Sequence, residues 1–321
     1  MTVVIFGVGA LGCLFGALLA NIRTRNELEI CLFGHWPEQI GILQNNGLDF
    51  TGIHGNTSRV ALLVSGSIKN VPPADICLIL VKSFQTRTAA REAAKVLKPG
   101  GLCLTLQNGL GNTEILAEQL GARRVISGVT SQAAMLTAPG KVLHSGAGTT
   151  FLSASGKRKP HAEALHRLFN AAGIRTVLVE NPQQMIWTKL AINAAINPLT
   201  ALLEIPNGEL RRRQALRKMM QSVVEETVRV ARAQGILLSG KSVYAQTLQV
   251  CAATAQNISS MLQDIKGQRK TEIEAISGQI VQAGQQLGIP TPANRLLHTF
   301  VQKKQKGQGV MPEELEKHLK K

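Results

Sequence analysis

A short run of strand-forming residues, Thr2 to Phe6, leads straight into Gly7-Val8-Gly9-Ala10-Leu11-Gly12. An apolar, helix-forming segment from Cys13 to Ile22 follows, and Glu29 to Phe33 reads as a second strand. A lone G-x-G-x-x-G is a weak signal. Between a strand and a helix it specifies a βαβ unit whose turn can hold a dinucleotide. Its glycines let the chain turn tightly and let a pyrophosphate approach the backbone, to rest on the N-terminus of the helix. Turn glycines with no ligand would fit the same letters, and the strand–turn–helix–strand setting favours the dinucleotide over them.

The chain continues in the same alternating pattern. Leu48 to Ile53 and Arg59 to Val64 read as a hairpin around His54-Gly55-Asn56. Asp75 to Val81 is wholly apolar after its first residue, as a strand buried on both faces of a parallel sheet must be. Lys82 and Gln85 follow its C-terminal end, and Gln107-Asn108-Gly109 follows the strand Leu102 to Leu106; open α/β sheets bind their ligands at such ends. Helices are expected over Thr86–Leu97 and His161–Ala172, with strands at Arg124–Gly128 and in the paired runs Val142–Ser145 and Thr149–Ser153. This is the pattern of one doubly wound α/β domain, residues 1–181. From residue 182 onward nearly every segment has helical period, and Gly and Pro fall only at breaks. A second, all-helical domain is expected over 182–321, with a charged, glycine-interrupted tail from about Lys303.

Composition excludes several classes. With 321 residues and 44% hydrophobic content the chain can bury real cores. The apolar run Val3 to Ala20 is broken by four glycines, so neither a membrane span nor a signal peptide is expected. Five widely spaced cysteines in apolar surroundings suit a reducing, cytoplasmic compartment rather than a disulfide frame. The seven histidines form no ligand pair, and no metal site is expected. The net charge of +16 is spread along the chain with few aromatics, which argues against nucleic acid and for a solvated surface that favours small anions.

The most informative stretch after the glycine turn is Trp187 to Leu202. Read as a helix it is almost entirely apolar except for Lys189, Asn193 and Asn197. Residues four apart are offset by only ~40° around a helix, so an ammonium and two carboxamides share one stripe. A core helix can satisfy a few polar groups locally, yet three aligned ones are hard to explain by packing. An amine able to give up a proton, beside amides able to orient a polar ligand, points to an acid–base site.

These blocks, in this order, resemble the ketopantoate reductase family (2-dehydropantoate 2-reductase). The resemblance spans essentially the whole chain: Gly7–Gly12, Val81–Gln85, Gln107–Gly109, Trp187–Leu202, Pro206–Glu209, Asn257–Asp264 and Thr271–Ile273. It implies a Rossmann domain followed by a helical domain, and NADPH-dependent reduction of 2-dehydropantoate to pantoate, on the route to pantothenate and coenzyme A. By position it implies Lys189 as proton donor and Glu272 as an acid that hydrogen-bonds the bound ligands. Asn193, Asn197 and Asn207 are the implied substrate amides, with Asn257 and Ser260 at the carboxylate end. Asn108 and Ala134 match cofactor contacts, and Lys82 a residue near the adenosine 2′-phosphate. Read without the resemblance, Glu272 could equally be a helix-start carboxylate favourable to the dipole, and Ser260 an ordinary helix serine.

One departure stands out. The family commonly has Gly-Arg just past the second strand, where the Arg grips the 2′-phosphate; here the pair is Gly34-His35. His35 can hydrogen-bond a phosphate but supplies no permanent bidentate cation. No acidic residue stands there for an NAD-type ribose contact either, so the expectation remains NADP(H). The expected partner is a small 2-keto acid anion, and the chain a monomer or homodimer. The alternatives are a dehydrogenase for another small 2-keto or 3-hydroxy acid, and a nucleotide-sensing regulator that turns nothing over. The regulator would have no reason to keep Lys189, Asn193 and Glu272 together.

Overall fold

A computed structural model of the protein describes residues 1–22 and 28–308. The chain separates into two compact units: Met1–Gln107 with Gly111–Pro182, and Asn108–Leu110 with Gln183 onward. The sequence reading did not anticipate that Asn108–Leu110 group with the second.

The first unit is an α/β fold of Rossmann type. Its strands are β1 (Thr2–Phe6), β2 (Glu29–Phe33), β3 (Leu48–Thr51), β4 (Thr57–Val60), β5 (Leu63–Ser65) and β6 (Ala74–Ile79), followed by β7 (Leu97–Thr105), β8 (Val125–Thr130), β9 (Ala133–Ala138), β10 (Lys141–Gly146), β11 (Thr150–Ser153) and β12 (Thr176–Val179). Its helices among the described residues are α1 (Ala10–Ala20), α2 (Pro37–Asn46), α3 (Thr86–Val96), α4 (Asn112–Leu120) and α5 (Lys159–Ala171). Eight strands form the main sheet in the order β12-β11-β8-β7-β6-β1-β2-β5. All its neighbours run parallel except β8 and β11. Strand residues alternate between faces, and β1 divides its side chains accordingly. Val3 and Ile5 join the core made with α1 and α5, while Val4 and Phe6 join the core made with α3 and α4.

A smaller sheet, β4-β3-β10-β9, packs on the α1 side through Phe50, Val60 and Val142. Here the structure corrects the sequence reading. Val142–Ser145 and Thr149–Ser153 do not pair with each other: β10 joins β3 and β9, while β11 joins β8 and β12. The expected strand Arg59–Val64 is two strands, because the chain leaves the hairpin after Val60 and Val64 then aligns beside Leu32 of β2. Strand β9, Ala-Ala-Met-Leu-Thr-Ala, has residues of good helix propensity, and only its pairing with β10 makes it extended.

The regular structure of the second unit's described residues is helical: α6 (Gln183–Leu203), α7 (Gln214–Ala233), α8 (Gly240–Ala253), α9 (Ser260–Lys266), α10 (Gln279–Gln286) and α11 (Pro292–Gln305). Helix α6 is the axis, touching α7, α8, α9 and α11. Its alanines, Ala191, Ala194, Ala195 and Ala201, are buried and let neighbouring backbones come close. Buried Glu226 of α7 accepts from the backbone N–H groups of Ala293 and Asn294 at 2.8 and 2.9 Å, anchoring the start of α11. A tail beginning near Lys303 is not what is found. Helix α11 runs on to Gln305, Lys304 Nζ reaches the Leu202 carbonyl at 3.0 Å and Glu204 at 2.8 Å, and Gln305 is hydrogen-bonded to Thr271. Residues 309–321 of the expected tail lie outside the described residues.

The glycine turn itself is sterically specified. A Cβ on Gly12 would collide with the Gly7 carbonyl oxygen, whereas one on Gly9 would meet open space. Gly12→Ala should therefore lower unfolding free energy by ~1–3 kcal/mol, the usual cost of overpacking. Gly9→Ala should stay within ~0.5 kcal/mol of the parent. Denaturant unfolding of the two variants checks the difference.

Candidate active site

In the first unit, β6, β1 and β2 are adjacent and parallel, so their C-terminal ends lie at one edge of the sheet. That topology gathers the glycine turn after β1, His35 after β2, and Lys82 and Gln85 after β6. Gly9 is the N-cap of α1 and makes no side-chain cap, so the first helical N–H groups are not taken up by it. The open space over Gly9 and the bare helix terminus fit the pyrophosphate of a dinucleotide. Val8 is buried, and its carbonyl accepts from Gln39 Nε2 at 3.0 Å. Gln39 is wholly buried, and its Oε1 accepts from the Gly140 N–H at 2.8 Å. It fixes the turn from behind, and nothing in the sequence marked it out.

His35 is exposed and not free. Its Nε2 lies 3.0 and 3.2 Å from the two carboxylate oxygens of Glu92 on α3. Behind Lys82, Gln107 Nε2 donates to the Val81 carbonyl and to Thr86 Oγ1, both at 2.8 Å. The Thr86 hydroxyl in turn meets Asn112 Oδ1 at 2.8 Å. Ala134 lies half-buried on β9, opposite His144 of β10, which is itself hydrogen-bonded to Gln132 at 2.8 Å.

In the second unit, Lys189, Asn193 and Asn197 all lie on α6, as the stripe requires. Lys189 is half-buried, and loss of water around its ammonium pulls its pKa down to about 8, while the Glu272 carboxylate opposes the shift. The carboxamides of Asn193 and Asn197 make no hydrogen bond to any described residue, although Asn197 is buried. Pro198 sits inside α6 and cannot donate to the carbonyl four residues back. Just beyond it, the Thr200 hydroxyl lies 2.7 Å from Ser259 Oγ, which also caps α9 by accepting from the Leu262 N–H. Ser259 is thus the structural serine, which leaves the neighbouring Ser260 exposed.

Asn207 is buried, and its Nδ2 donates to Thr254 Oγ1 at 2.9 Å, yet its Oδ1 has no partner among the described residues. A buried acceptor left unpaired costs on the order of 1–3 kcal/mol. Its N–H donates to the carbonyl of Asn257, whose own side chain is exposed.

Glu272 is only 7% exposed. It precedes a π-helical turn, Glu274–Gly278, closed by the Gly278 N–H donating to the Ile273 carbonyl at 2.9 Å. Against this turn lies Asn108-Gly109-Leu110. The Leu110 N–H donates to the Ala275 carbonyl at 3.0 Å, and Gly109, at φ +85°, has no room for a Cβ against the Ala275 backbone. That docking puts Asn108 Nδ2 3.5 Å from Glu272 Oε2, a long contact. The turn is anchored at its start as well: Thr271, 1% exposed, donates through both N–H and hydroxyl to Gln305 Oε1, at 3.1 and 2.9 Å. Gln305 lay in the stretch read as tail and was missed.

Among the described residues no group of acidic, His and Cys side chains could hold a metal ion, and no helix is long and apolar enough to cross a membrane. The five cysteines are buried thiols, and burial raises the Cys13 pKa to about 12, which makes it a poor nucleophile.

A glycine-turn sheet and a helical unit built around a desolvated lysine belong to the two-domain nucleotide-dependent oxidoreductases. Residues 3–157 match the ketopantoate reductase PanE/ApbA family, and residues 181–305 match the family's C-terminal region. A 2-dehydropantoate 2-reductase of Halobacterium salinarum is 35% identical over 302 residues, covering 94% of this chain and 98% of that protein. Among solved structures, a PanE/ApbA-family ketopantoate reductase from Ralstonia eutropha is 32% identical, with a TM-score of 0.86 over 96% of this chain and 99% of that one. D-mandelate dehydrogenase, solved as a ternary complex with NADH and anilino(oxo)acetate, is 26% identical with a TM-score of 0.90, covering 97% of this chain and 100% of that one. The chain belongs to the ketopantoate reductase family and is an oxidoreductase.

Gln305→Ala would leave two buried donors of Thr271 unpaired beside Glu272. It should lower unfolding free energy by ~1–3 kcal/mol, measured in urea. Gln302→Ala, at an exposed bond to Glu274, should cost at most ~1 kcal/mol.

Proposed function

We propose that this protein reduces 2-dehydropantoate to pantoate with NADPH, as a step toward pantothenate and coenzyme A. The observation that carries the reading is the Lys189 ammonium, desolvated to a pKa of about 8 on a helix whose neighbouring amides have no side-chain partner among the described residues. A bound nicotinamide supplies the hydride to the keto carbon. The oxygen that becomes an alkoxide needs a proton, and Lys189 Nζ gives it. An acid with a pKa near 8 is charged at neutral pH and readily deprotonated, which suits general acid catalysis. Glu272 keeps that ammonium charged and binds a substrate hydroxyl.

Asn193, Asn197 and Asn207 orient the polar groups of the keto acid. Asn257 and Ser260 hold the carboxylate end. For the nucleotide, the Gly7–Gly12 backbone, Val8, Ala10 and Leu11 included, cradles the pyrophosphate, and Gln85 stands at the same sheet edge. Asn108 and Ala134 serve the nicotinamide side. Lys82 and His35 bind the 2′-phosphate.

A second reading has two supports. His35 is already held by the Glu92 carboxylate, which would repel a 2′-phosphate, and the chain is as similar in fold to an NADH-bound mandelate dehydrogenase as to reductases of its family. On that reading the cofactor is NADH and the 2-keto acid carries a phenyl group. Initial rates with both nucleotides and both acids separate the two. Under the first, Lys82→Ala should lower the NADPH-to-NADH ratio of kcat/KM by roughly 10–100-fold, the worth of a charge-assisted hydrogen bond. His35→Arg should raise it by a similar factor. A parent enzyme that prefers NADH, with neither change moving the ratio, would favour the second.

Loss of a positioned general acid typically costs ~10²–10⁴ in rate. Lys189→Ala should therefore lower kcat by about that factor. In the parent, kcat for reduction should be level at neutral pH and fall as pH rises through about 8, where the ammonium is lost. Lys189→Ala should lack that alkaline limb. A variant that keeps both the rate and the limb would show that the proton comes from another group.

A further inference from the structure

The second unit has a recess that the proposed reaction leaves unused. It encloses about 490 Å³ and is lined by Arg211, Arg212 and Arg217 together with Pro206, Leu248 and Ala255. That volume falls in the range of small-molecule sites, ~300–1,000 Å³. Its charge is not balanced from within. Glu209 pairs with Arg212 at 2.6 Å, and among the described residues neither Arg211 nor Arg217 has an acidic partner. Arg217 is half-buried and is held in place by one donor, its Nη1 bonding the Arg211 carbonyl at 2.6 Å. A guanidinium has five N–H donors in a fixed fork, so several remain for a ligand. The Arg211 guanidinium makes no hydrogen bond to any described residue. Two uncompensated cations on one recess repel each other, and a multiply charged anion relieves that repulsion. Arg forks match phosphate in geometry as well as charge.

The other walls narrow the choice. Pro206, Leu248 and Ala255 offer apolar surface beside the cations, which suits an organic body and not a bare ion. The walls are also joined to each other. The Gly208 N–H donates to the Ala255 carbonyl at 3.1 Å, and the Asn207 N–H to the Asn257 carbonyl at 3.0 Å. A Cβ on Gly208 would stand 2.8 Å from that of Ala255, so the two segments touch without slack. Whatever fills the recess therefore bears on residues 206–209 and 254–257 together.

We propose that this recess binds a small organic phosphate, its charge on Arg211 and Arg217 and its apolar body against Pro206, Leu248 and Ala255, and that binding stiffens the two joined segments. The recess is lined by none of the residues proposed for the reaction.

Phenyl phosphate is the probe, titrated calorimetrically into the full chain at constant ionic strength, with inorganic phosphate and sulfate as controls. One saturable site is expected, with phenyl phosphate tighter than inorganic phosphate by at least threefold. The double variant Arg211→Glu/Arg217→Glu should weaken it at least tenfold, whereas Lys82→Ala, at the glycine-turn edge of the other unit, should not. Should charge reversal compromise folding, Arg211→Gln/Arg217→Gln provides the same test with the charges only removed. Hydrogen exchange should slow on ligand addition at residues 206–209 and 254–257. Unchanged affinity in a folded Arg variant, no saturable binding above sulfate, or protection confined to the glycine turn would each overturn the site. Equal affinity for the two phosphates would overturn the apolar wall.

Discussion

The second unit is organised around one cost, an ammonium taken out of water. A desolvated lysine loses hydration free energy that only its neighbours can return, and at Lys189 the return is incomplete, which is why its pKa falls to about 8. The surrounding structure holds it in that state. Buried alanines along α6 surround it with apolar helix, and a buried carboxylate, Glu272, offsets part of the lost hydration. Glu272 is positioned in turn by a π-helical turn, by the Asn108–Leu110 segment docked on that turn, and by Gln305 at the far end of the chain. A π turn costs regular hydrogen bonding and persists where its neighbours hold it, commonly at functional sites. Here Gly109 and Thr271 are the residues that hold it.

The first unit solves a different problem, the placing of backbone N–H groups where an anion can reach them. Parallel strands bring three connections to one sheet edge, and steric fit of Gly12 against Gly7 sets the turn between β1 and α1. Gln39 makes that turn rigid by bonding both Val8 and Gly140 from a fully buried position. A flexible turn would lose entropy on binding, whereas this one is already in place. Specificity at the edge is set more weakly. His35 shares its ring nitrogen with Glu92, so what a phosphate would meet there is a pair, not a lone cation.

Much of this was legible in the chain itself. The glycine turn in its strand–helix setting, the apolar strand 75–81 and the change to helical period after 182 fixed the fold class by local rules: side chains alternate along strands and repeat every 3.6 residues along helices. The stripe of Lys189, Asn193 and Asn197 followed from the same periodicity, since residues on one helix keep their relative angle in any tertiary context. Other residues were beyond those rules. Strand β9 is alanine-rich and becomes extended only through its partner, and the partners of β10 and β11 depend on which sheet each joins. Lys304 and Gln305 read as charged and polar tail, because the atoms that hold them belong to Leu202, Glu204 and Thr271, far away in sequence. Sequence alone determined which residues share an element and a face, because helix and strand geometry is the same wherever the element lies. Only the tertiary structure decided that Gln39 is a buried brace, that Ser259 and not Ser260 caps its helix, that Glu92 holds His35, and how far Lys189 is stripped of water, because hydrogen-bond partners and solvent exclusion are set by chain segments that local rules do not relate.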